Sequence, residues 1–370
     1  MPKHEVFAWE RPGRRPAIQR LLYRPQTDAY LNPKSSRSTW HENRDWSTIK
    51  DQLRRTVRRA PEVVISVKGS RRSSDGYQAA IEGVLRYMMY ISRSGQLSTI
   101  NEQGEQLNGR ETVRDIHASW DLDMQRTRGA KDEVLHPSFN IIFSMPAKTD
   151  PEKMLEAVQA FASQRFQGHQ YILALHTRDT DPADDPPEHP HVHLILRAED
   201  VNGRRIHIRK TDLRSWREDF ASQLRARGIE ANATSRAERG QSFKSKSGAE
   251  WHVQRRYEEA LRQGRNPDPP KARTARFQEA AKELQDGLSE TKPWETAMAA
   301  RRRDVLRDLA INATKLRQEG DNELADRVEQ FMQDLPPLDS ERRQVQRALV
   351  EQVKKRLQER DKGRQNEPQR

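Results

Sequence analysis

The chain has 370 residues, of which 33% are hydrophobic and 33% charged, so part of it must be solvated helix or tail rather than packed core. It has no cysteine, which excludes disulfides, thiolate nucleophiles and Cys-ligated zinc and fits a cytosolic setting, and it offers neither a transmembrane-length apolar run nor a signal-peptide core in MPKHEVFAWERPGRRP. The net charge of +12 divides as +8 over residues 1–60, −1 over 61–240 and +5 over 241–370, a balanced centre between basic flanks that suit an acidic polymer.

Residues 1–60 are rich in Arg, Pro and Trp without a sustained period and read as a basic, mostly irregular arm, with one helix near 47–59. VVISVK (63–68) predicts a strand from its β-branched content. In DGYQAAIEGVLRYMMYISRSG, Ile81, Val84, Leu85 and Met88 recur at helical spacing, which predicts an amphipathic helix. Tyr90 falls opposite that stripe and is expected to be accessible. FNIIFSM (139–145) predicts a second strand, 151–166 a helix carrying Met154, Leu155, Val158 and Phe161, and YILALH (171–176) a third strand. HVHLILRA (191–198) is the fourth and RIHI (205–208) a short fifth, turning at Asn202-Gly203. A helix over about 211–227 follows, with Thr211 as N-cap, Leu213, Trp216, Phe220 and Leu224 as its stripe and Gly228 as its stop.

After residue 240 the chain turns helical and highly charged, with breaks at NPDPP (266–270) and DLPPLDS (334–340) and a tail, RDKGRQNEPQR, that reads as disordered. The order β-α-β-α-β-β-α predicts an α+β domain over about 61–240, one sheet with helices on one side, followed by a charged helical extension over 241–370.

The chemistry concentrates in EHPHVHLIL (188–196). Alternation along a strand puts His191 and His193 on one face with Ile195, while Val192, Leu194 and Leu196 take the other. If the strands beginning at 171 and 191 are antiparallel neighbours, His176 lands near the start of HVH, and three neutral imidazoles could share a divalent ion. The alternative is a set of edge-strand histidines with no metal, and spacing alone does not choose. His189 is separated from the strand by Pro190, and the acidic loop TRDTDPADDPPE (177–188) reads equally as a solvated loop. No phosphate-binding loop, dinucleotide fingerprint, HExxH or GxSxG motif competes.

Together, the segments YISRSGQL (90–97), HPHVHLIL (189–196) and GIEANATSRAERG (228–240) resemble the His-hydrophobe-His (HUH) endonucleases, and among them conjugative relaxases related to the T-DNA border endonuclease and mobilisation proteins. The resemblance implies an antiparallel sheet with helices packed on it, Tyr90 as nucleophile and His176, His191 and His193 as ligands of a divalent metal, Mg or Mn. It implies a nick at an origin of transfer that leaves a 5′-phosphotyrosyl linkage and a free 3′-hydroxyl. The expected partners are single-stranded or supercoiled DNA, relaxosome accessory proteins and a coupling ATPase of a type IV secretion system. The expected setting is the bacterial cytoplasm, without membrane insertion and with translocation alongside the transferred strand. Arg93, Arg236 and Arg239 are candidate phosphate contacts, each equally readable as a surface arginine, and Tyr87 reads as structural, packing or lying over DNA. In relatives the upstream His stands close before HPH, whereas here fifteen positions separate His176 from His191. That spacing leaves open whether Asp179 or Asp181 orients an imidazole. A rolling-circle replication initiator and a non-catalytic DNA-binding subunit remain the alternatives.

Overall fold

The computed structural model describes residues 45–69, 77–122, 136–183, 186, 188–242, 248–287 and 291–365. The chain divides into two compact units, Lys50–Thr234 and a second formed by Met1–Ile49 with Ser235–Arg370. Residues 1–44 of the expected arm lie outside the described residues. Its expected helix is α1 (Trp46–Val57). Leu53 of α1 is fully buried, and the Thr56 hydroxyl accepts a buried hydrogen bond from Asn232 Nδ2 at 3.1 Å, so this part of the flank is packed.

The elements that follow are β1 (Val64–Gly69), α2 (Tyr77–Ile91), β2 (Thr99–Asn101), β3 (Gln106–Leu107), α3 (Arg110–Ser119), β4 (Ser138–Ser144), α4 (Pro151–Arg165), β5 (His169–His176), β6 (His191–Asp200) and α5 (Asp212–Ala226). The strands form one antiparallel sheet in the order β1-β4-β6-β5-β2-β3. The fold is therefore α+β, an antiparallel sheet with helices packed on it, and a charged helical extension follows.

Helices cover both faces rather than the one expected. On one face Ile141, Phe143, Leu173, Val192, Leu194 and Leu196 meet Met154, Val158 and Phe161 of α4 and Trp216, Phe220 and Leu224 of α5. Phe143 lies edge-on to Phe161 at 5.2 Å and to Phe220 at 5.0 Å, geometries that aromatic quadrupoles favour. On the other face Val84, Met88 and Ile91 of α2, with Val113 of α3 and Trp120, pack on Ile172, Ala174 and Ile195. The consecutive burial of Leu194, Ile195 and Leu196 follows from this, because a strand covered on both sides has no polar face to show.

Two local expectations differ from the structure. RIHI is not a strand: past the end of β4, Arg205 makes one bridge to Glu199 and Ile206 N–H donates to the Ala198 carbonyl, and the contact does not extend into a ladder. Thr211 stands at the N-cap of α5 without a capping side-chain bond; the Asp212 carboxylate instead accepts from Arg209 N–H at 2.7 Å. The β2–β3 hairpin and α3 had no counterpart in the sequence reading. Gly228 does end α5, with φ 78° and Ile229 N–H bonded to Leu224 O.

The second unit contains α6 (Gly248–Arg262), α7 (Lys271–Gln285), α8 (Pro293–Gln318), α9 (Asn322–Gln333) and α10 (Glu341–Gln365), broken where the prolines stand at 266–270 and 334–340. Helix α10 runs through Arg360–Gln365, the first part of the segment expected to be disordered. Leu309, Ala313 and Leu316 of α8 are buried, as are Leu324, Ala325 and Val328 of α9. Arg342 of α10 ties α7 to α8, its Nε 2.6 Å from Glu283 and its Nη1 3.2 Å from Glu295.

Candidate functional site

The register of β5 against β6 builds the site. His176 pairs directly with His191 and Ala174 with His193, so all three histidines stand on the face covered by α2. Their ring centroids are 5.1 Å apart for His176–His191, 4.7 Å for His176–His193 and 5.0 Å for His191–His193. Among the described residues, these three form the group of imidazole or carboxylate donors able to hold a metal ion, with one nitrogen from each lying within 4.8 Å of the others.

Burial, followed by the neighbouring imidazoles, holds His176 down at about 4 and His193 at about 2, and burial also lowers His191. All three are thus neutral near pH 7, the form in which imidazole can ligate. Each Nδ1 has a protein partner: Asp181 Oδ2 at 2.8 Å for His176, the His189 carbonyl at 3.1 Å for His191 and the Tyr87 hydroxyl at 3.5 Å for His193. A metal-ligating histidine characteristically spends its second nitrogen in this way, which fixes the ring and its tautomer.

One contact would have to change. His176 Nε2 lies 2.7 Å from the Ile91 carbonyl at the end of α2, an orphan acceptor at the negative end of the helix dipole. A neutral ring can donate to Asp181 or to Ile91, not to both. If Nδ1–H stays on Asp181 and the ring leaves Ile91, Nε2 is available. The donor set therefore fits a divalent ion, with His176, His191 and His193 as the residues that would hold it.

Helix α2 brings Tyr90 to this face. The buried stripe is Ala80, Val84, Met88 and Ile91, and Tyr90 stands off it, 52% exposed, as its position on the helical wheel predicts. Its ring centroid is 6.0 Å from that of His193 and 5.6 Å from that of Tyr87. Tyr87 is half-buried between them; burial, with a smaller contribution from Tyr90, raises its phenol to about 12.

The chain then reverses through three consecutive left-handed residues, Arg93 (φ 49°), Ser94 (φ 58°) and Gly95 (φ 86°). A Cβ on Gly95 would sit 2.3 Å from Arg110 N, so glycine is required there by space as well as by conformation. The turn directs the Arg93 guanidinium onto Asp181: Nε and Nη2 each donate at 2.8 Å, one to each carboxylate oxygen. Burial pushes the Asp181 carboxyl up, but Arg93, the Ala183 N–H and His176 more than offset it, leaving it at about 2. Of the two carboxylates left open by the sequence, it is thus Asp181 that meets His176.

Beside the histidines the same sheet face continues over β4 and β1. His191 pairs with Ser144 and His193 with Ile142, which pair onward to Val64 and Ser66. Val64 is 54% exposed and Ser66 and Ile142 are half-buried, so this strip is open beside the site. Tyr90, Arg93, His176, His191 and His193 are thus brought together within the unit Lys50–Thr234. Arg236 and Arg239 belong to the other unit, half-buried in a turn where Glu238 accepts from Ser235 N–H. Sequence reasoning missed the link from Tyr87 to His193, and the histidine periodicity held no signal for it.

Residues 90–229 match the relaxase family, specifically its MobA/VirD2-like nuclease domain, over less than half of the chain. The relaxase resemblance of these residues is therefore established, and they begin at Tyr90 and contain all three histidines. No curated protein matches the chain. Among solved structures, one described as "Molecular Basis of Vancomycin Resistance Transfer in Staphylococcus aureus" is similar at 14% identity, covering 47% of this chain and 99% of its own. Its TM-score is 0.29, too distant to bear on fold or function. Among the described residues no helix is long and apolar enough to cross a membrane.

Proposed function

We propose that this protein is a DNA relaxase that cuts one strand at an origin of transfer by tyrosine transesterification. The observation that carries the reading is an exposed Tyr90 ring 6.0 Å from His193, in a cluster of three neutral imidazoles whose Nδ1 atoms are all engaged. The phenolic oxygen of Tyr90 bonds to the scissile phosphorus as the P–O3′ bond breaks. The phenolic proton leaves to solvent, and the departing 3′ oxygen becomes a hydroxyl. The product is a 5′-phosphotyrosyl ester that conserves the phosphodiester bond energy, so the strand can later be rejoined without a nucleotide.

A free tyrosine is a poor nucleophile at neutral pH, so the fold must supply alignment. Helix α2 contributes by ending at the histidines, and the open strip over β4 and β1 leaves room for a strand. A divalent cation held by His176, His191 and His193, Mg or Mn by family resemblance, would offset negative charge developing on the phosphate. Accessory proteins at the origin, a coupling ATPase, a cytoplasmic setting and translocation with the strand belong to the same reading.

Oligonucleotides tiled across the candidate origin test it on denaturing gels. Wild type and Tyr87→Phe should leave a covalent adduct on the 5′ end of the downstream fragment, Tyr90→Phe none, and EDTA should abolish cutting. Cleavage without an adduct in any variant would mean a hydrolytic nuclease. An adduct lost in Tyr87→Phe and kept in Tyr90→Phe would reassign the nucleophile.

A further inference from the structure

We infer that Arg93 is a positioning residue for Tyr90 rather than a phosphate ligand; the inference rests on the tyrosine reaction proposed above. An arginine that binds phosphate needs free donors and an unspent charge. In Arg93 the charge is paired and three of the five N–H groups donate to Asp181 and Tyr90. Nε and Nη2 form a two-pronged pair with Asp181, whose side chain is fully buried, and Nη2 also lies 3.2 Å from His176 Nδ1. Nη1 donates to the Tyr90 carbonyl at 3.4 Å, and the guanidinium carbon lies 5.0 Å from the Tyr90 ring centroid. The carboxylate cancels the charge that would attract DNA.

The pair instead connects the Tyr90 ring and backbone to the first histidine through one planar group. The backbone supports this assignment. Arg93 and Ser94 are held left-handed, a conformation that residues with a side chain rarely adopt. Such strain persists only where surrounding contacts over-determine it, and the Asp181 pair is such a contact. The acidic segment 177–188 thereby gains a structural role, since Asp181 folds back from the end of β5 to hold both Arg93 and His176.

Arg93→Lys keeps the charge and loses the fork. In the full-length protein, its rate of adduct formation at saturating oligonucleotide should fall between about tenfold and a hundredfold, the usual consequence of misplacing a reacting group by an ångström. Asp181→Asn removes the other half of the pair and should behave alike, and the double variant should be no slower than the worse single. Strand affinity of Arg93→Gln, which removes the charge, measured in a Tyr90→Phe background so that nothing is cut, should keep both its value and its dependence on log salt. A salt slope smaller by about 0.7 in Arg93→Gln, with an unchanged saturating rate in Arg93→Lys, would identify a phosphate contact and overturn the inference. Unchanged rate and unchanged slope would overturn it too, because then Arg93 does neither. Should Arg93→Lys fail to fold, Asp181→Asn decides by its saturating rate and Arg93→Gln by its slope. A wild-type protein that cuts but forms no adduct would instead remove the tyrosine reaction, and this inference with it.

Discussion

At the scale of single residues, the parts of the site that follow from alternation and helical period were legible and the parts that depend on folding back were not. His191 and His193 share a face because strand side chains alternate, and Tyr90 is exposed because it falls off the stripe of α2. The choice of Asp181 over Asp179 follows from a loop path that no local pattern encodes. Tyr87 reaches His193 only because α2 crosses β6, a tertiary fact. The turn after α2 was visible as Ser-Gly, yet its left-handed run through Arg93 and Ser94 was not. Gly95 gives a direct check. Its positive φ and the backbone of Arg110 2.3 Å from any Cβ predict that Gly95→Ala destabilises the protein by about 1–3 kcal/mol, read from urea unfolding. A neutral result would mean that the turn is free to reorganise.

At the scale of elements, long periodic segments were read well and short ones poorly. α4 and α5 carry clear stripes, and the long strands β4, β5 and β6 carry β-branched or alternating runs. β2 and β3 are three and two residues long, too short to show any period, and β2 is held by pairing with β5, and β3 by pairing with β2, rather than by their own sequence. The two-faced cover was foreshadowed by the Leu-Ile-Leu run of β6, which has no solvent side.

The helices of the extension illustrate a different principle. They are joined by charge buried between them. Burial raises Glu283, but Arg342 and Lys292 more than offset it and leave its carboxyl below the ordinary value, and Glu295 is lowered against burial by Ser340, Lys292 N–H and Arg342. A carboxylate depressed in the fold contributes stability above its unfolded pKa and loses it as pH falls through the folded one. The full-length protein should therefore lose thermal stability as pH drops below about 4.5. Glu283→Gln should be less stable at pH 7 and show a flatter acid limb in a melt series. An acid limb unchanged in the variant would remove Glu283 from the account.

At the scale of the whole molecule, the excess positive charge and the candidate site lie in different parts of the sequence. The histidines and Tyr90 belong to the near-neutral middle of the sequence, while the excess positive charge lies in the flanks. A fragment of residues 61–240 would lose α1 with the buried Leu53 and the Thr56–Asn232 bond, so it should be unstable. Residues 45–240 are the fair comparison. Such a fragment should bind single strands more weakly than the full chain and with a shallower dependence on log salt, because fewer phosphates are neutralised. Equal slopes in fluorescence anisotropy titrations would mean that the flanks do not touch DNA.

The pairing of His176 with His191 carries a consequence for how such sites are recognised and altered. The triad is addressed by cross-strand register, so the number of residues between its first and second members is free to drift while the three imidazoles stay facing one another. A pattern search that fixes that gap would pass over this chain, whereas one that looks for a terminal histidine on one strand facing an HxH on its neighbour would find it. The same freedom marks the stretch after Ala183 as a place to graft a reporter or an affinity handle. A slip of either strand by a single residue, by contrast, would turn its histidines to the opposite face.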